Sequence, residues 1–261
     1  MVANMSSFAR KLADVARRET LGRWTSGCGV DDKGGDGAFD PVTEADRAAE
    51  RAMRALIERE YPSHGIVGEE FGTKASCSSY RWSLDPIDGT RSFTCGLPTW
   101  VTLIALIEDE VPVVGLIDAP CLDECYFASD GRAWLETKGA VTPLKASQCS
   151  RLSDARLSTT DPYLFTGAAA NAFEELRTAA KTARFGHDGY AYARVAAGTI
   201  DLIVECGLKE HDYQALIPVV RGAGGVFGDW CGTEDFFSGS VIAAATRELY
   251  EAAVAIMRSA A

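Results

Sequence analysis

Trp82-Ser83-Leu84-Asp85-Pro86-Ile87-Asp88-Gly89-Thr90-Arg91-Ser92-Phe93 is the stretch on which the fold turns. It reads as the end of a strand, a tight turn and the start of a helix, with Pro86 fixing φ and removing a donor beside Asp85. Two carboxylates three residues apart on a turn can aim their oxygens into one small volume. Left bare they repel, and one stays protonated. A divalent cation resolves that conflict. Hard oxygen ligands suit magnesium, which is commonly held by a few carboxylates plus substrate phosphate. Gly89 and Thr90 add backbone N–H groups at a helix start, where phosphate binds well. By itself an Asp-x-x-Asp pair reads more readily as an acidic surface turn, so the flanking chain has to decide.

Upstream, Ile66-Val67-Gly68-Glu69-Glu70 reads as a short strand beside the one ending at Asp85, which would turn one glutamate toward the aspartates. Before it stands Asp40-Pro41-Val42-Thr43-Glu44-Ala45-Asp46, with Thr43 as N-cap of a helix running to about Glu60 on the stripe Ala49, Met53, Leu56, Ile57. Alone, Asp46 is a simple capping acid. Thr25 to Phe39 is glycine-rich and carries Lys33 as its single cation, so it reads as a mobile connector. Phe8 to Trp24 has the spacing of an amphipathic helix.

Downstream, Val101 to Ile107, Val111 to Asp118, Glu124 to Ala128 and Ala133 to Thr137 read as antiparallel strands. Polar Lys145 to Ser153 marks a boundary between an N-terminal α+β lobe, residues 1–148, and a C-terminal α/β lobe, residues 149–261. In the second lobe, strands at Arg156 to Thr160, Ile200 to Cys206 and Ser240 to Ala244 alternate with helices at Asn171 to Thr182, Tyr190 to Gly198 and Arg247 to Ala260. A further helix is expected to open at Asp212, run through Val220 and end at Gly224-Gly225. Such alternation implies layered α/β packing.

Composition narrows the function. A net charge of −11 over 261 residues argues against nucleic-acid binding and against anionic membranes. No segment approaches the roughly 20 apolar residues of a spanning helix, and the N-terminus has no basic segment followed by an apolar run, so a cytoplasmic protein is expected. Eight cysteines without paired metal-type spacing read as reduced thiols. An acidic protein that handles a phosphate needs metal ions to make its site locally positive.

Asp46, Glu69, the Asp85/Asp88 pair and Asp212 all fall at starts or ends of elements, where sites are built. With Asp40-Pro41-Val42-Thr43-Glu44-Ala45-Asp46, Gly68-Glu69-Glu70, Asp85-Pro86-Ile87-Asp88-Gly89-Thr90 and His211-Asp212 through Ala223-Gly224-Gly225, the chain resembles the inositol monophosphatase family of magnesium-dependent phosphomonoesterases. Within it, Arg91-Ser92-Phe93, Gly186-His187-Asp188-Gly189-Tyr190-Ala191-Tyr192 and Gly207-Leu208-Lys209 resemble the histidinol-phosphate phosphatases. His211 departs from the tryptophan common in the family and is not expected to bind metal.

The resemblance implies an α+β fold, a layered α-β-α-β-α sandwich usually assembled as a homodimer, with two or three magnesium ions per active site between the lobes. It implies that Glu69, Asp85 and the carbonyl of Ile87 hold one ion, and that Asp85, Asp88 and Asp212 hold a second. Asp46 and Thr90 would orient the attacking water, and Glu69 would share in the catalytic group. The Gly-rich loop with Lys33 would close over the loaded site. Gly89, Thr90, Arg91, Asp188, Glu205 and Asp212 would contact a small phosphomonoester, L-histidinol phosphate first. The alternatives are an inositol, sugar or nucleotide phosphate as substrate and, from a different class, a regulatory protein-binding role, against which the intact acids speak.

Overall fold

The computed structural model describes residues 2–26, 30–32 and 41–260. Among them, α1 (Val2–Ser26) leads to the short pair β1 (Val30–Asp32) and β2 (Pro41–Thr43), and then α2 (Glu44–Glu60). Most of the Gly-rich connector, Lys33, Asp40 and Cys28 lie outside the described residues. A capping box starts α2: Thr43 Oγ1 accepts the Ala45 N–H, and Asp46 accepts the Thr43 N–H.

Eight strands then form one sheet in the order β10-β9-β8-β7-β6-β5-β3-β4. They are β3 (Gly65–Gly68), β4 (Gly72–Lys74), β5 (Tyr80–Asp88), β6 (Val101–Glu108), β7 (Val111–Ala119), β8 (Glu124–Ser129), β9 (Arg132–Thr137) and β10 (Ala140–Pro143), with α3 (Thr90–Thr94) between β5 and β6. Only β3 and β5 run parallel, which sets Glu69, just past β3, beside Asp85 on β5.

Alternation along the strands decides which layer each side chain enters. Trp82 and Leu84 of β5, with Ile104 and Leu106 of β6, join the core under α1 and α2. Val101, Leu103 and Ala105 face the opposite core, built with the second half of the chain. Asp85, one step from Leu84, therefore belongs to the interior face, and it is 2% exposed.

Beyond residue 143 come β11 (Arg156–Thr159), α4 (Gly167–Ala179), β12 (Thr182–Phe185), α5 (Asp188–Ala196), β13 (Leu202–Glu205), α6 (Glu210–Tyr213), α7 (Leu216–Gly222), β14 (Val226–Asp229), β15 (Val241–Ala244) and α8 (Arg247–Met257). Their strands form a mixed sheet, β12-β11-β13-β15-β14. Helices α5 and α7 fill the space between the two sheets, and α4 and α8 cover the far face. The layers are thus α-β-α-β-α, the sandwich expected from sequence. The central core draws on strands of both halves. No helix among the described residues is long and apolar enough to cross a membrane.

Several local expectations change. β5 does not stop before Pro86 but runs to Asp88, with a register shift between Asp85 and Asp88. A proline fits a central strand at such an irregularity, where no ladder donor is required. Asp212 does not open a long helix. It sits third in the one-turn α6, and α7 begins afresh at Leu216 because Pro218 has no N–H to donate to Gln214. Helix α4 starts at Gly167 and ends at Ala179, freeing Thr182–Phe185 to form β12, and β4, β10 and β14 had no distinct pattern in the sequence. Seven described cysteines are free thiols.

Candidate active site

The irregular end of β5 is held open by side chains. The Ile87 N–H donates to Asp85 Oδ1 at 3.1 Å, Thr102 Oγ1 to the Pro86 carbonyl at 2.8 Å, and Thr90 Oγ1 to the Ile87 carbonyl at 3.0 Å. Gly89, at φ 86°, adopts the left-handed conformation that lets α3 leave at a sharp angle. Asp188 crowds Gly89 so closely that a Cβ there would meet its carboxylate.

Asp85, Asp88 and Asp212 each bring an oxygen within 4.8 Å of the other two. Burial pushes the Asp85 carboxyl well above the usual range, and the charges of Glu69, Asp88, Asp212 and Asp46 push the same way. Burial, then Asp188 and Asp212, does this to Asp88, partly offset by the Gly189 N–H that Asp88 accepts. Burial also raises Asp212, while His211, the Lys209 N–H at 2.6 Å and Lys209's charge oppose it. Among the described residues, none of the ion pairs reaches Asp85 or Asp88. Three crowded carboxylates of hard oxygen character fit a divalent cation, and they fit magnesium well.

Glu69 stands outside that tight trio. Its N–H donates to the Leu84 carbonyl at 3.2 Å, one residue from Asp85, and its charge raises Asp85, Asp212 and Asp46. Asp46 is 1% exposed, and its Oδ2 accepts the Thr43 N–H at 2.8 Å and Thr43 Oγ1 at 2.5 Å. Its other oxygen is buried with no hydrogen-bond partner among the described residues. Burial lifts its carboxyl to about 7, against the opposing hydrogen bonds from Thr43. Asp46 and Thr90 share no hydrogen bond among the described residues, although α3 packs on the strand that ends at Thr43.

From the second half, the turn at Asp188 docks on Asp88 and Gly89. Asp188 holds φ at 45°, accepts Ser92 Oγ at 3.4 Å, and has its carboxyl raised to about 6 by burial, with Ser92 and Arg91 opposing. Arg91 reaches toward Asp161 at 3.8 Å. Glu205 lies deeper, 2% exposed, its oxygens taken by Thr159 Oγ1 at 3.0 Å and by the Thr160 N–H and Oγ1 at 2.7 and 2.9 Å. Burial raises it to about 8. His211 Nε2 sits 3.4 Å from Asp212 Oδ1.

Sequence reasoning missed three participants. Tyr192, buried and with no hydrogen-bond partner for its hydroxyl among the described residues, feels Glu205, Asp88 and Asp212. Ser92 bonds Asp188, and Gly189 bonds Asp88. Glu50 of α2 is a fourth residue to which sequence reasoning assigns no role, although an acid beside the apolar stripe of Ala49, Met53 and Ile57 is a usable signal.

The sequence profile of the inositol monophosphatase family matches residues 1–261. The chain belongs to that family. It is 45% identical over 208 residues to a protein named bifunctional phosphatase IMPL2, chloroplastic, from Arabidopsis thaliana, covering 79% of this chain and 59% of that one. It is 36% identical over 209 residues to a histidinol-phosphatase of Mycobacterium tuberculosis, covering 78% and 79%. A solved inositol monophosphatase from Zymomonas mobilis superposes with a TM-score of 0.85 at 37% identity, covering 98% of each chain. Family membership makes the protein a phosphatase, the family is metal-dependent, and the structure holds a cluster of acidic residues in Asp85, Asp88 and Asp212.

Proposed function

We propose that this family member is a magnesium-dependent phosphomonoesterase whose substrate is L-histidinol phosphate, with histidinol and inorganic phosphate as products in histidine biosynthesis. The observation that carries the phosphatase chemistry is the meeting of Asp85, Asp88 and Asp212 within 4.8 Å. Glu69, Asp85 and the Ile87 carbonyl would hold one ion, and Asp85, Asp88 and Asp212 a second. Bound magnesium supplies charge neutralisation, an acidified water and a stabilised leaving oxygen.

The chain's own groups do the rest. Asp46 presents an unpartnered oxygen and a carboxyl near 7, suited to take the proton of the attacking water at neutral pH. Thr90, at 3.0 Å from the Ile87 carbonyl, orients that water once its hydroxyl turns away. Backbone N–H groups of Gly89 and Thr90 face the phosphate.

Substrate choice rests on Asp188 and Arg91 at the wall of the site. Asp188, ionised above about pH 6, pairs with the ammonium of histidinol through a charge-assisted hydrogen bond, which a cyclitol hydroxyl cannot match. The similarity to named histidinol-phosphatases supports this reading. Glu205, already bonded to Thr159 and Thr160, would act from beneath by shaping the wall. The likeness to a solved inositol monophosphatase favours inositol 1-phosphate as second reading. Phosphate release from both esters, with and without magnesium, decides between them. Equal or reversed preference overturns the histidinol assignment and leaves the phosphatase. We include homodimer assembly in the proposal, checked by sedimentation.

A further inference from the structure

We infer that Glu50 is a positioning residue for Glu69, so that α2 serves the site twice, through Asp46 and through an acid one turn further on. The inference rests on the metal-dependent reading above. Glu50 is fully buried, on the stripe of Ala45, Ala49, Met53 and Ile57. A carboxylate there is costly unless its lone pairs are satisfied. Glu50 Oε2 accepts the Glu70 N–H at 2.7 Å, and Oε1 accepts the Phe71 N–H at 3.2 Å and Arg54 Nε at 2.7 Å. Arg54 in turn donates to the Gly72 carbonyl.

Those two amides are the first after Glu69, and the Glu69 amide itself is spent on the Leu84 carbonyl. The backbone on both sides of Glu69 is thereby fixed, by β5 before it and by Glu50 after it. Gly68 supplies an independent sign. A Cβ at Gly68 would run into the Glu50 carboxylate and the Arg54 guanidinium, so a side chain is absent where the buried acid approaches the backbone. Among the described residues Glu50 shares no hydrogen bond with Asp85, Asp88 or Asp212; its partners are Arg54, Glu70 and Phe71. Its action goes through the direction of the Glu69 side chain.

The test is a set of variants titrated with magnesium chloride alone by calorimetry, and then assayed for phosphate release. Glu50→Gln sets an amide NH2 against the Glu70 or Phe71 N–H, so the loop must shift. Partners of this kind cost about 10–100-fold in metal affinity. We expect Glu50→Gln to weaken magnesium binding about tenfold or more, with kcat at saturating metal within about threefold. Glu50→Gln added to Glu69→Gln should change magnesium affinity no further, because the group it positions is already lost. Gly68→Ala, which displaces the Glu50 carboxylate without removing it, should reproduce the loss should Glu50→Gln prove too unstable to purify. Wild-type affinity in folded Glu50→Gln, or an equal further loss in the Glu69→Gln background, overturns the inference alone. A wild-type protein that binds no magnesium overturns both the inference and the metal-dependent reading.

Discussion

Asp85 on β5 and Asp118 on β7 are aspartates of one sheet, each buried to 2% exposure or less, and their surroundings are opposite. Asp118 is met by Arg17 from α1, whose Nε and Nη2 both bind it at 2.7 Å. Arg17 opposes the burial that still raises the Asp118 carboxyl, and in Asp201 the same arrangement prevails: Arg156, at 2.7 and 2.8 Å, holds that carboxyl below the usual range despite burial. Asp85 is met instead by Glu69, Asp88 and Asp212, and burial and the charge of each of these acids push its carboxyl up. Where the chain supplies a cation, the acid serves stability. Where it gathers more acids, it leaves the positive charge to come from a ligand.

The contrast breaks most sharply under charge removal. Asp88→Asn or Asp212→Asn keeps shape but removes a ligand charge, and losing several kcal/mol of metal-derived stabilisation corresponds to about 10³-fold in rate. Thermal melts of these variants in chelator should be no lower than wild type, since repulsion is relieved. Asp118→Asn should do the reverse: about 1–3 kcal/mol of stability lost with Arg17 left half-paired, and turnover within about twofold of wild type. Full activity of Asp88→Asn in chelator-treated buffer would sink the metal centre. A large activity loss in Asp118→Asn would erase the contrast.

Thr90 tests the chemistry within the site. Thr90→Val retains volume and removes the hydroxyl, so turnover should fall about 10²-fold while magnesium affinity holds, in keeping with typical acid–base contributions. Near-normal turnover would mean that Thr90 only closes the turn through the Ile87 carbonyl.

A smaller effect separates the wall from the metal cradle. Asp188→Asn should reduce kcat/KM for histidinol phosphate about tenfold relative to inositol 1-phosphate, the scale of one charged hydrogen bond. Because the Asp188 carboxyl lies near 6, the preference of the wild-type enzyme should itself fade below that pH. A constant ratio of the two specificity constants from pH 5 to 8 would remove Asp188 from recognition.

How far the sequence reached follows from the same physics. The N-cap at Thr43 and the apolar β6 and β7 are local patterns, and local patterns are legible. Asp85-Pro86-Ile87-Asp88 reads as a turn yet continues β5, because its pairing with β6 is set by distant residues. Asp188 was legible as a turn, but its contact with Gly89 is made by residues about a hundred positions apart. Glu205 is expected as a substrate contact from the family resemblance, near the end of the strand that leads to Asp212. Its pairing with Thr159 and Thr160 depends on β11 and β13 lying side by side, which no spacing discloses. The break between α6 and α7 is written in Pro218, but the apolar spacing runs on through it and masks the break.

The smallest effect is a slope, and it asks whether the gathered acids are stabilised by protons when metal is absent. Asp46 near 7 and Glu205 near 8 stand above the roughly 4 of unfolded carboxyls, and Asp85, Asp88 and Asp212 shift the same way. Between about pH 4.5 and 8 the native state therefore binds more protons than the unfolded one. Stability then falls as pH rises, because the slope carries the sign of unfolded minus native protons bound. Each excess proton contributes about 1.4 kcal/mol per pH unit. Denaturant midpoints at pH 6, 7 and 8 in chelator should decline in that order. Saturating magnesium should flatten the decline, since the ions replace protons on Asp85, Asp88 and Asp212. It should not abolish it, because Asp46 and Glu205 lie outside the ligand set, and Glu205→Gln should remove the part of what is left that belongs to Glu205. Stability that rises with pH in chelator would show that these carboxylates carry compensating charge within the fold, and the distinction between Asp85 and Asp118 would fail.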